Sequence, residues 1–433
     1  MIEAYKLNES GGIEAATRLI NRFQLVDDHY RAKVETILES VCGDGDEALV
    51  HFTRQFDAPE FTLDDLRVSD GEYAAAAEKV SDDFLETLSA ATARIRSFHE
   101  REKEDSWLLT RDDGAIVGRL VRPVDSAGLY VPGGTGGSTP LVSSVLMNAI
   151  PAKIAGVERC IMVTPPAPDN SINPYLLVAA RHIGIDEVYK AGSAWAIGAL
   201  AFGTKRIAAV DVIVGPGNQW VTEAKRQVAG KVRIDMIAGP SEVLIIADET
   251  ANPEYIAADM IAQAEHDVLA LAIVITTQSH HPAAINKALD SQLSGLGRAD
   301  IARRSLRDRG CILVAADVGE AIGWANNIAI EHLELQVDDP WNWIPHIKHA
   351  GAIFCGNHTP EAAGDYFAGP NHVLPTMGTA RYASALGVET FVKRSSLISY
   401  SPAALAGDAE HIIRMAELEG LDGHGASVKR RLS

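Results

Sequence analysis

Two side chains that can bind a metal ion lie three residues apart in the middle of the chain. Gln263 and His266 follow a short apolar run, Val243 to Ala247, and an Asn252-Pro253 pair. The run predicts a buried strand, and the pair predicts a helix start, because Asn caps N-termini and Pro fits the first turn. Residues three apart share one helix face. An amide oxygen and an imidazole there could bind zinc, or could form a solvent-facing polar stripe.

A carboxylate and an imidazole stand side by side in the segment IEHLEL. Glu331 and His332 are an acid/base pair that can move protons near neutral pH. Adjacent residues on a strand face opposite ways, but both side chains can approach one cavity at an irregular strand end. Taken alone, a Glu-His pair is also common on protein surfaces.

Further residues of ligand type lie towards the C-terminus. Asp365 and His372 belong to a long stretch, 350–377, that is dense in Gly, Pro, Asn and Asp. A long loop inside a compact domain is either functional or disordered, and the interspersed apolar residues favour an ordered, functional one. His424 stands between two glycines near the chain end, where a lone histidine is normally solvated.

The segments around these residues alternate between strand and helix patterns. Short apolar runs predict strands at 116–121, 160–164, 187–190, 210–214, 269–276 and 311–315, separated by helical stretches. Strands alternating with helices of about ten or more residues indicate a parallel, doubly wound sheet. The N-terminal hundred residues, by contrast, read as helical scaffold without chemistry.

Glycines cluster where predicted strands pass into helices. GLYVPGGTGGSTP spans 128–140 and GPGN spans 215–218, and doubly wound folds bind phosphate-bearing ligands at such turns. However, GGTGGS is not the dinucleotide fingerprint, and no acidic residue stands about 20 residues further on to hold a ribose. The cluster is therefore compatible with a cofactor loop or with a glycine-rich loop that touches no phosphate.

Composition excludes several classes of function. The 433-residue chain is 47% hydrophobic and carries a net charge of −19, which disfavours nucleic acid as a partner. The four cysteines are scattered without a C-x-x-C pair, the N-terminus lacks a signal-peptide core, and no apolar run could span a bilayer. We therefore expect a cytoplasmic protein with no membrane partner and a sizeable core.

Motifs along nearly the whole chain resemble the histidinol dehydrogenase family. They are GLYVPGG, SSVLMNAIPAKIAGV, ALAFGT, VGPGNQWVTEAKRQV, IDMIAGPSEVLIIAD, QAEHD, EHLEL, GDYFAGPNHVLPT and the C-terminal EGLDGHG. The resemblance implies a homodimer, with one zinc ion per subunit, that uses NAD to oxidise L-histidinol to L-histidine through L-histidinal. TARYASALGVETFVKRSSLISYS favours histidinol over the other alcohols, such as sulfopropanediol, that relatives of the family oxidise.

The resemblance also implies a role for individual residues. The matching metal ligands are Gln263, His266, Asp365 and His424, and the acid/base pair is Glu331 and His332. Substrate contacts match Ser241, Gln263, His266, His332, Asp365, Glu419 and His424. Cofactor contacts match Tyr130, Trp195 and Asn218, although the family commonly has Gln at position 195. In the family the C-terminal segment crosses to the other subunit, so Glu419 and His424 would complete the partner's site.

For the fold we expect two incomplete doubly wound, Rossmann-like domains, one inserted in the other, with small helical segments at both ends. Residues 25–128 and 236–380 would carry the metal site and the acid/base pair, and 129–235 would form the inserted cofactor side. Residues 1–24 would be an N-terminal helical segment, and 381–433 a C-terminal segment swapped in the dimer. The competing interpretation from another class is a non-catalytic metal- or nucleotide-binding protein, which would not need an acid/base pair.

Overall fold

The structure, a computed structural model, describes residues 2–22, 28–133 and 139–432. The strands are β1 Ala4–Lys6, β2 Trp107–Thr110, β3 Ile116–Pro123, β4 Ser126–Tyr130, β5 Arg159–Thr164, β6 Glu187–Lys190, β7 Val212–Val214, β8 Arg233–Ile234, β9 Glu242–Ala247, β10 Leu271–Thr276, β11 Cys311–Val314, β12 Ile330–Gln336, β13 Ala350–Cys355 and β14 Val392–Ser399. The helices are α1 Ser10–Ile20, α2 Asp28–Asp44, α3 Asp46–Phe56, α4 Asp70–Ala77, α5 Asp82–His99, α6 Val142–Ala155, α7 Pro174–His182, α8 Ser193–Phe202, α9 Gln219–Val228, α10 Pro253–Ala264, α11 His281–Gln292, α12 Ala299–Arg309, α13 Val318–Ile328, α14 Glu361–Tyr366, α15 Pro402–Leu418 and α16 Asp422–Lys429.

Two parallel sheets organise the chain. One has five strands in the order β6-β5-β4-β7-β8, and the other has six in the order β1-β11-β10-β9-β12-β13. If β1 is set aside, each sheet follows the order 3-2-1-4-5 in its own chain sequence. That order reverses direction beside the first strand, which is typical of Rossmann-like halves. The α/β, doubly wound fold class predicted from the sequence is confirmed.

The five-stranded sheet lies between β1 and β9 in the chain and so interrupts the six-stranded sheet. A third sheet, with the antiparallel order β14-β3-β2, was not expected. The strand predicted at 116–121 is its central strand and belongs to neither parallel sheet. The N-terminal segment also differs from the helical expectation, because β1 pairs with β11 before α1 begins.

Helices α2 to α5 pack on the five-stranded sheet, whereas α1 packs on the six-stranded one. Helix α8 is buried on nearly all sides, and Gly198 lets Leu38 and Val41 of α2 approach closely. Helices α4 and α5 share their core with α6 and α7 on the other face. This packing groups 28–99 with the five-stranded sheet, whereas we expected 25–128 to group with 236–380. The domain boundaries themselves stay a prediction.

The two parallel sheets meet through opposite edges. Strand β8 ends at Ile234, and only seven residues separate it from the start of β9 at Glu242, so the carboxyl edge of the five-stranded sheet adjoins the amino edge of the six-stranded one. Thr222 Oγ1 on α9 donates to the carbonyl of Ala238 in this connection, at 2.8 Å. The glycine-rich stretch that could be a cofactor loop, or a loop that touches no phosphate, runs through 134–138, which lie outside the described residues.

No helix in the described ranges combines the length and the apolar composition needed to cross a bilayer.

Candidate active site

The acid/base pair lies at the amino end of β12, next to the first residue of β9. Glu331 and His332 are each only 4% exposed. Glu331 Oε2 accepts the backbone N–H of Glu242 at 2.7 Å, and His332 Nδ1 lies 3.0 Å from the Glu242 carbonyl oxygen. A carbonyl only accepts, so Nδ1 carries the proton and Nε2 is left free as a base. One residue of β9 therefore orients both members of the pair.

Burial sets the protonation of both groups. It lowers the pKa of His332 to about 4, so the imidazole is neutral near pH 7. Burial, and then the negative charge of Glu242, raise the pKa of the Glu331 carboxyl. A carboxyl whose pKa moves upward approaches the range in which a general base works near neutral pH.

Glu242 is itself held by a buried arginine. Arg22 reaches over from the end of α1 and pairs with both oxygens of Glu242, at 2.5 and 2.6 Å. The same guanidinium donates to the carbonyls of Leu19 and Ile328. Because the strand that positions the acid/base pair is fixed by this ion pair, Arg22 and Glu242 are positioning residues. Sequence reasoning missed them, since they lie 220 residues apart in no shared motif.

Three side chains meet in a group that could hold a metal ion. One ligand atom each of His332, Glu361 and Asp365 lies within 4.8 Å of the others. Glu361 opens α14, which interrupts the stretch we expected to be a loop, and is 1% exposed. Sequence reasoning missed Glu361, although its spacing of four from Asp365 would place both on one helix face.

Of the two ligand candidates at the end of α10, His266 lies near enough to act on the His332 imidazole, and α10 itself contacts α14. The expected helix start is present, since Asn252 Oδ1 caps α10 by accepting the Glu254 N–H. Gln263 is fully buried, and neither its Oε1 nor its Nε2 has a hydrogen-bond partner among the described residues. His266 lies just past the end of α10 and bonds the Ala262 carbonyl through Nδ1 at 2.9 Å. That contact leaves His266 Nε2 free to coordinate a metal.

This donor set fits a metal ion. A buried amide with no partner costs free energy unless something supplies its missing interaction, and a cation would do so through the Gln263 oxygen. Burial lowers the pKa of His332. The charge of Asp365 opposes that effect and raises this pKa, while His266 lowers it further, so Asp365 and His266 both act on the same imidazole. Nitrogen and oxygen donors of this kind suit zinc.

A hydrogen-bonded acidic group ties α10 to β12. Gln336 Nε2 donates to Asp259 at 3.0 Å and to Glu334 at 3.1 Å. Burial raises the pKa of Asp259 to about 6 and raises that of Glu334 as well. These contacts fix the helix that carries Gln263 against the strand that carries His332.

The predicted C-terminal residues are not part of this cluster. Glu419 follows α15, His424 lies in α16, and both are exposed. These two helices pack on each other, and His424 does not join the metal-capable group found in the described ranges. Ser241 immediately precedes β9 and Glu242, so the structure places it beside the acid/base pair.

The cofactor candidates lie at the carboxyl edge of the five-stranded sheet. Tyr130 ends β4 and its hydroxyl accepts the Ser193 N–H at 3.2 Å. Asn218 Oδ1 caps α9, accepting the N–H groups of Trp220 and Val221, and its side chain is exposed. These two therefore sit where a doubly wound sheet binds its ligand.

Unlike the exposed Asn218, and like Tyr130, Trp195 is buried in the hydrophobic core of the five-stranded sheet. It is 3% exposed and stacks on Phe52 and Phe56, with ring centroids 5.9 and 5.6 Å away. Its ring belongs to the hydrophobic core, so little of its surface is accessible to a ligand. The cofactor contact assigned to Trp195 stays a prediction.

Fold and site together define an α/β enzyme in which a buried proton-transfer pair adjoins a metal-capable group. The sequence profile of the histidinol dehydrogenase family matches residues 20–432. The chain is 65% identical to a histidinol dehydrogenase of Desulfotalea psychrophila over 432 residues, covering 100% of both chains. It is 54% identical to one of Oleidesulfovibrio alaskensis, covering 92% of each. The crystal structure of histidinol dehydrogenase from Elizabethkingia anophelis superposes with a TM-score of 0.93 at 37% identity, covering 100% and 98%.

This chain belongs to the histidinol dehydrogenase family, which is a family of oxidoreductases.

Proposed function

We propose that this protein oxidises L-histidinol to L-histidine through L-histidinal, with NAD as the oxidant and zinc as the resident metal. The observation that carries the proposal is His332, a buried neutral imidazole whose Nδ1 is engaged by a carbonyl and whose Nε2 is free. That arrangement is suited to taking a proton from an alcohol. We place the reaction in the cytoplasm, where the free cysteines of this chain would stay reduced.

Gln263, His266 and Asp365, with His424 of a second subunit, would hold the zinc ion. When bound, zinc supplies a positive charge that orients the substrate's imidazole and amine, and NAD supplies the acceptor for each hydride. The chain's own residues then handle protons and water.

In the first oxidation, His332 Nε2 takes the hydroxyl proton while the carbon-bound hydrogen leaves as hydride. The resulting imidazolium keeps its Nδ1–H bond to the Glu242 carbonyl, whose partial negative charge stabilises the new positive charge. The Arg22–Glu242 pair prevents this carbonyl from moving as the charge develops. The product is the aldehyde.

The second oxidation requires water, because an aldehyde has no hydroxyl to lose. Glu331 would take a proton from the water that adds to the aldehyde carbon, giving the anion of the hydrate, from which a hydride can leave for the cofactor. Its carboxylate lies 3.8 Å from His332 Nδ1, so both groups serve one reacting carbon in turn.

The proposal is tested by counting NADH formed from a limiting amount of L-histidinol. About two NADH per histidinol, lost on chelation and restored by zinc, is the expected result. No NADH from a folded, zinc-loaded protein would contradict the proposal.

The assignment of the zinc ligands has its own test. His266→Asn removes a nitrogen donor but leaves the fold intact, because His266 is exposed. We expect the purified variant to lose zinc, measured by atomic emission. Full zinc occupancy would refute the ligand assignment.

We further propose a homodimer in which α15 and α16 reach the partner's site. Two observations support it: His424 is exposed and does not join the His332, Glu361 and Asp365 group among the described residues, and these helices expose apolar residues, with Leu418 77% exposed. Exposed apolar side chains on a helix end favour a covering partner.

Mixed dimers test the exchange of the C-terminal segment. Neither His332→Gln nor His424→Asn should be active alone. If the segment is exchanged, a hybrid dimer has one site with both histidines, and random mixing restores roughly a quarter of wild-type activity. If each segment stays with its own subunit, every hybrid site lacks one histidine and mixing restores nothing.

A further inference from the structure

An unpaired carboxylate lies at the carboxyl edge of the five-stranded sheet. Asp57 caps the C-terminal end of α3, and its Oδ2 is buried without a hydrogen-bond partner among the described residues. Neighbouring acids differ: Asp65, for example, accepts from both the N–H and the hydroxyl of Thr62. A buried carboxylate oxygen without a donor does not stabilise the fold, so its presence calls for another explanation.

Three strands of the sheet end around Asp57. A Cβ atom on Gly192, which follows β6, would lie 3.3 Å from Asp57 Oδ2 and 2.7 Å from the ring of Pro165, which follows β5. The charge of Asp57 also acts on Tyr130, the last residue of β4. Asp57 therefore faces the ends of the first, second and third strands in the 3-2-1-4-5 order.

This is where a dinucleotide-binding sheet normally presents an acid. In such sheets a carboxylate near the end of the second strand accepts hydrogen bonds from the adenosine ribose. Here the second strand, β5, runs into Pro165-Pro166 and offers no acid. A ribose-binding carboxylate must lie at this position, but it need not belong to the second strand, so another part of the chain can supply it.

We propose that Asp57, contributed by α3 from outside the sheet, binds the ribose hydroxyls of NAD. The inference rests on the proposed use of NAD and identifies a contact for it. The two hydroxyls supply the donors that the carboxylate lacks. Only glycine fits at position 192, because a Cβ atom there would clash with Pro165 and crowd Oδ2, and α8 begins at Gly192 without a side-chain cap. A carboxylate at this place also repels a 2′-phosphate, so Asp57 would favour NAD over NADP.

Burial raises the pKa of Asp57 to about 7, as expected for a carboxyl without a donor. Hydrogen bonds from ribose hydroxyls to the ionised form would offset that cost. The binding of NAD and the ionisation of Asp57 should therefore support each other.

The test compares Asp57→Asn with Glu60→Gln in the zinc-loaded, full-length protein. Glu60 is an exposed acid three residues away and controls for loss of one negative charge. NADH and NADPH affinities are measured by fluorescence titration without substrate, and stability by thermal unfolding. Asp57→Asn should weaken NADH binding about tenfold, the effect of losing a charged hydrogen-bond acceptor. It should also narrow the preference for NADH over NADPH, with an unchanged or higher Tm.

Each alternative outcome identifies what has failed. If NADH binds wild type and Asp57→Asn equally, the ribose assignment is refuted while the proposed function stands. If Asp57→Asn lowers Tm and weakens binding of NADH and NADPH alike, Asp57 is structural. If wild type binds no NADH, the use of NAD is refuted and the ribose contact with it.

Discussion

The two parallel sheets share a strand order but present opposite edges to the candidate site. The five-stranded sheet contributes its carboxyl edge, where Tyr130 and Asn218 lie, as doubly wound folds usually do. The six-stranded sheet contributes its amino edge, where Glu331 and His332 begin β12. Two sheets with the same strand order therefore place their functional residues at opposite edges.

The chemistry of the two edges differs as much as their direction. The amino edge of the six-stranded sheet buries an acid/base pair and a metal-capable group, and the carboxyl edge of the five-stranded sheet offers glycine turns and helix starts. The first is equipped for proton transfer and the second for holding a phosphate-bearing ligand. We accordingly expect changes at the first edge to lower kcat, and changes at the second to raise KM for NAD.

The largest effect should come from His332→Gln. Loss of the general base should lower kcat by about 10²–10⁴-fold. NADH affinity should be unchanged, because the proposed NAD contacts lie on other residues, and zinc should be retained by Gln263, His266, Asp365 and the partner's His424. A variant with near-normal kcat would show that the amino edge does not carry the base.

Glu331→Gln should divide the two half-reactions. We expect conversion of histidinal to histidine to fall by about 10²-fold, while oxidation of histidinol to the aldehyde falls much less. Stopped-flow measurement of NADH from each substrate tests this. Equal losses in both steps would contradict the separate role of Glu331.

A buried ion pair fixes each edge, which allows a matched comparison. Arg22 binds Glu242 at the amino edge; at the carboxyl edge, Lys225 binds Asp235 and donates to the Gly215 carbonyl at 2.9 Å. Arg22→Met and Lys225→Met should each lower the free energy of unfolding by about 3–5 kcal/mol, because each leaves a buried charge unpaired.

The same two variants should differ in their kinetics. Arg22→Met should lower kcat, since Glu242 orients both Glu331 and His332. Lys225→Met should chiefly raise KM for NAD, since Gly215 opens the turn that carries Asn218. Steady-state kinetics at saturating histidinol distinguish these results. If both variants changed kcat and KM for NAD in the same way, the assignment of proton transfer to one edge and cofactor binding to the other would be refuted.

A smaller effect is expected from Asn218→Ser. Serine keeps the helix cap that Asn218 Oδ1 provides, but lacks the side-chain amide N–H. We expect KM for NAD to rise about fivefold with kcat and Tm nearly unchanged, as for one lost neutral hydrogen bond. An unchanged KM would remove Asn218 from the cofactor contacts.

The last effect concerns the pH dependence of stability at the carboxyl edge. Asp57 has an ordinary pKa of 3.8 that burial raises to about 7, so the folded chain holds this proton more tightly. Its contribution to stability is therefore present at low pH and lost as pH rises through about 7. The difference in the free energy of unfolding between Asp57→Asn and wild type, measured by urea unfolding, should therefore favour the variant more at about pH 8 than at about pH 4. An advantage independent of pH would mean that Asp57 titrates normally.

Local patterns in the sequence were sufficient to predict many of the secondary-structure elements and the acid/base pair. The strand at 243–247, the Asn252 cap and the order of strands and helices follow from apolar periodicity and turn chemistry. The Glu331-His332 pair was visible because its members are adjacent. The antiparallel sheet was missed because its partners, β3 and β14, lie more than 260 residues apart.

Contacts between distant segments could not be read from spacing. Arg22 is brought to Glu242 only by the docking of α1, and Asp57 reaches the five-stranded sheet only because α3 packs on α8. Trp195 looked like a substituted polar contact, yet its stacking on Phe52 and Phe56 depends on the same packing. Sequence motifs identified the chemical groups, and tertiary packing determined which of them meet.

The most direct test of the central claim is a crystal structure with zinc, NAD and L-histidinol bound. The claim is that the carboxyl edge of the five-stranded sheet holds the cofactor against the base at the amino edge of the six-stranded sheet. We predict NAD beside Tyr130 and Asn218, with its nicotinamide and the substrate's hydroxyl facing His332 Nε2. NAD bound instead at the carboxyl edge of the six-stranded sheet, away from His332, would contradict this account.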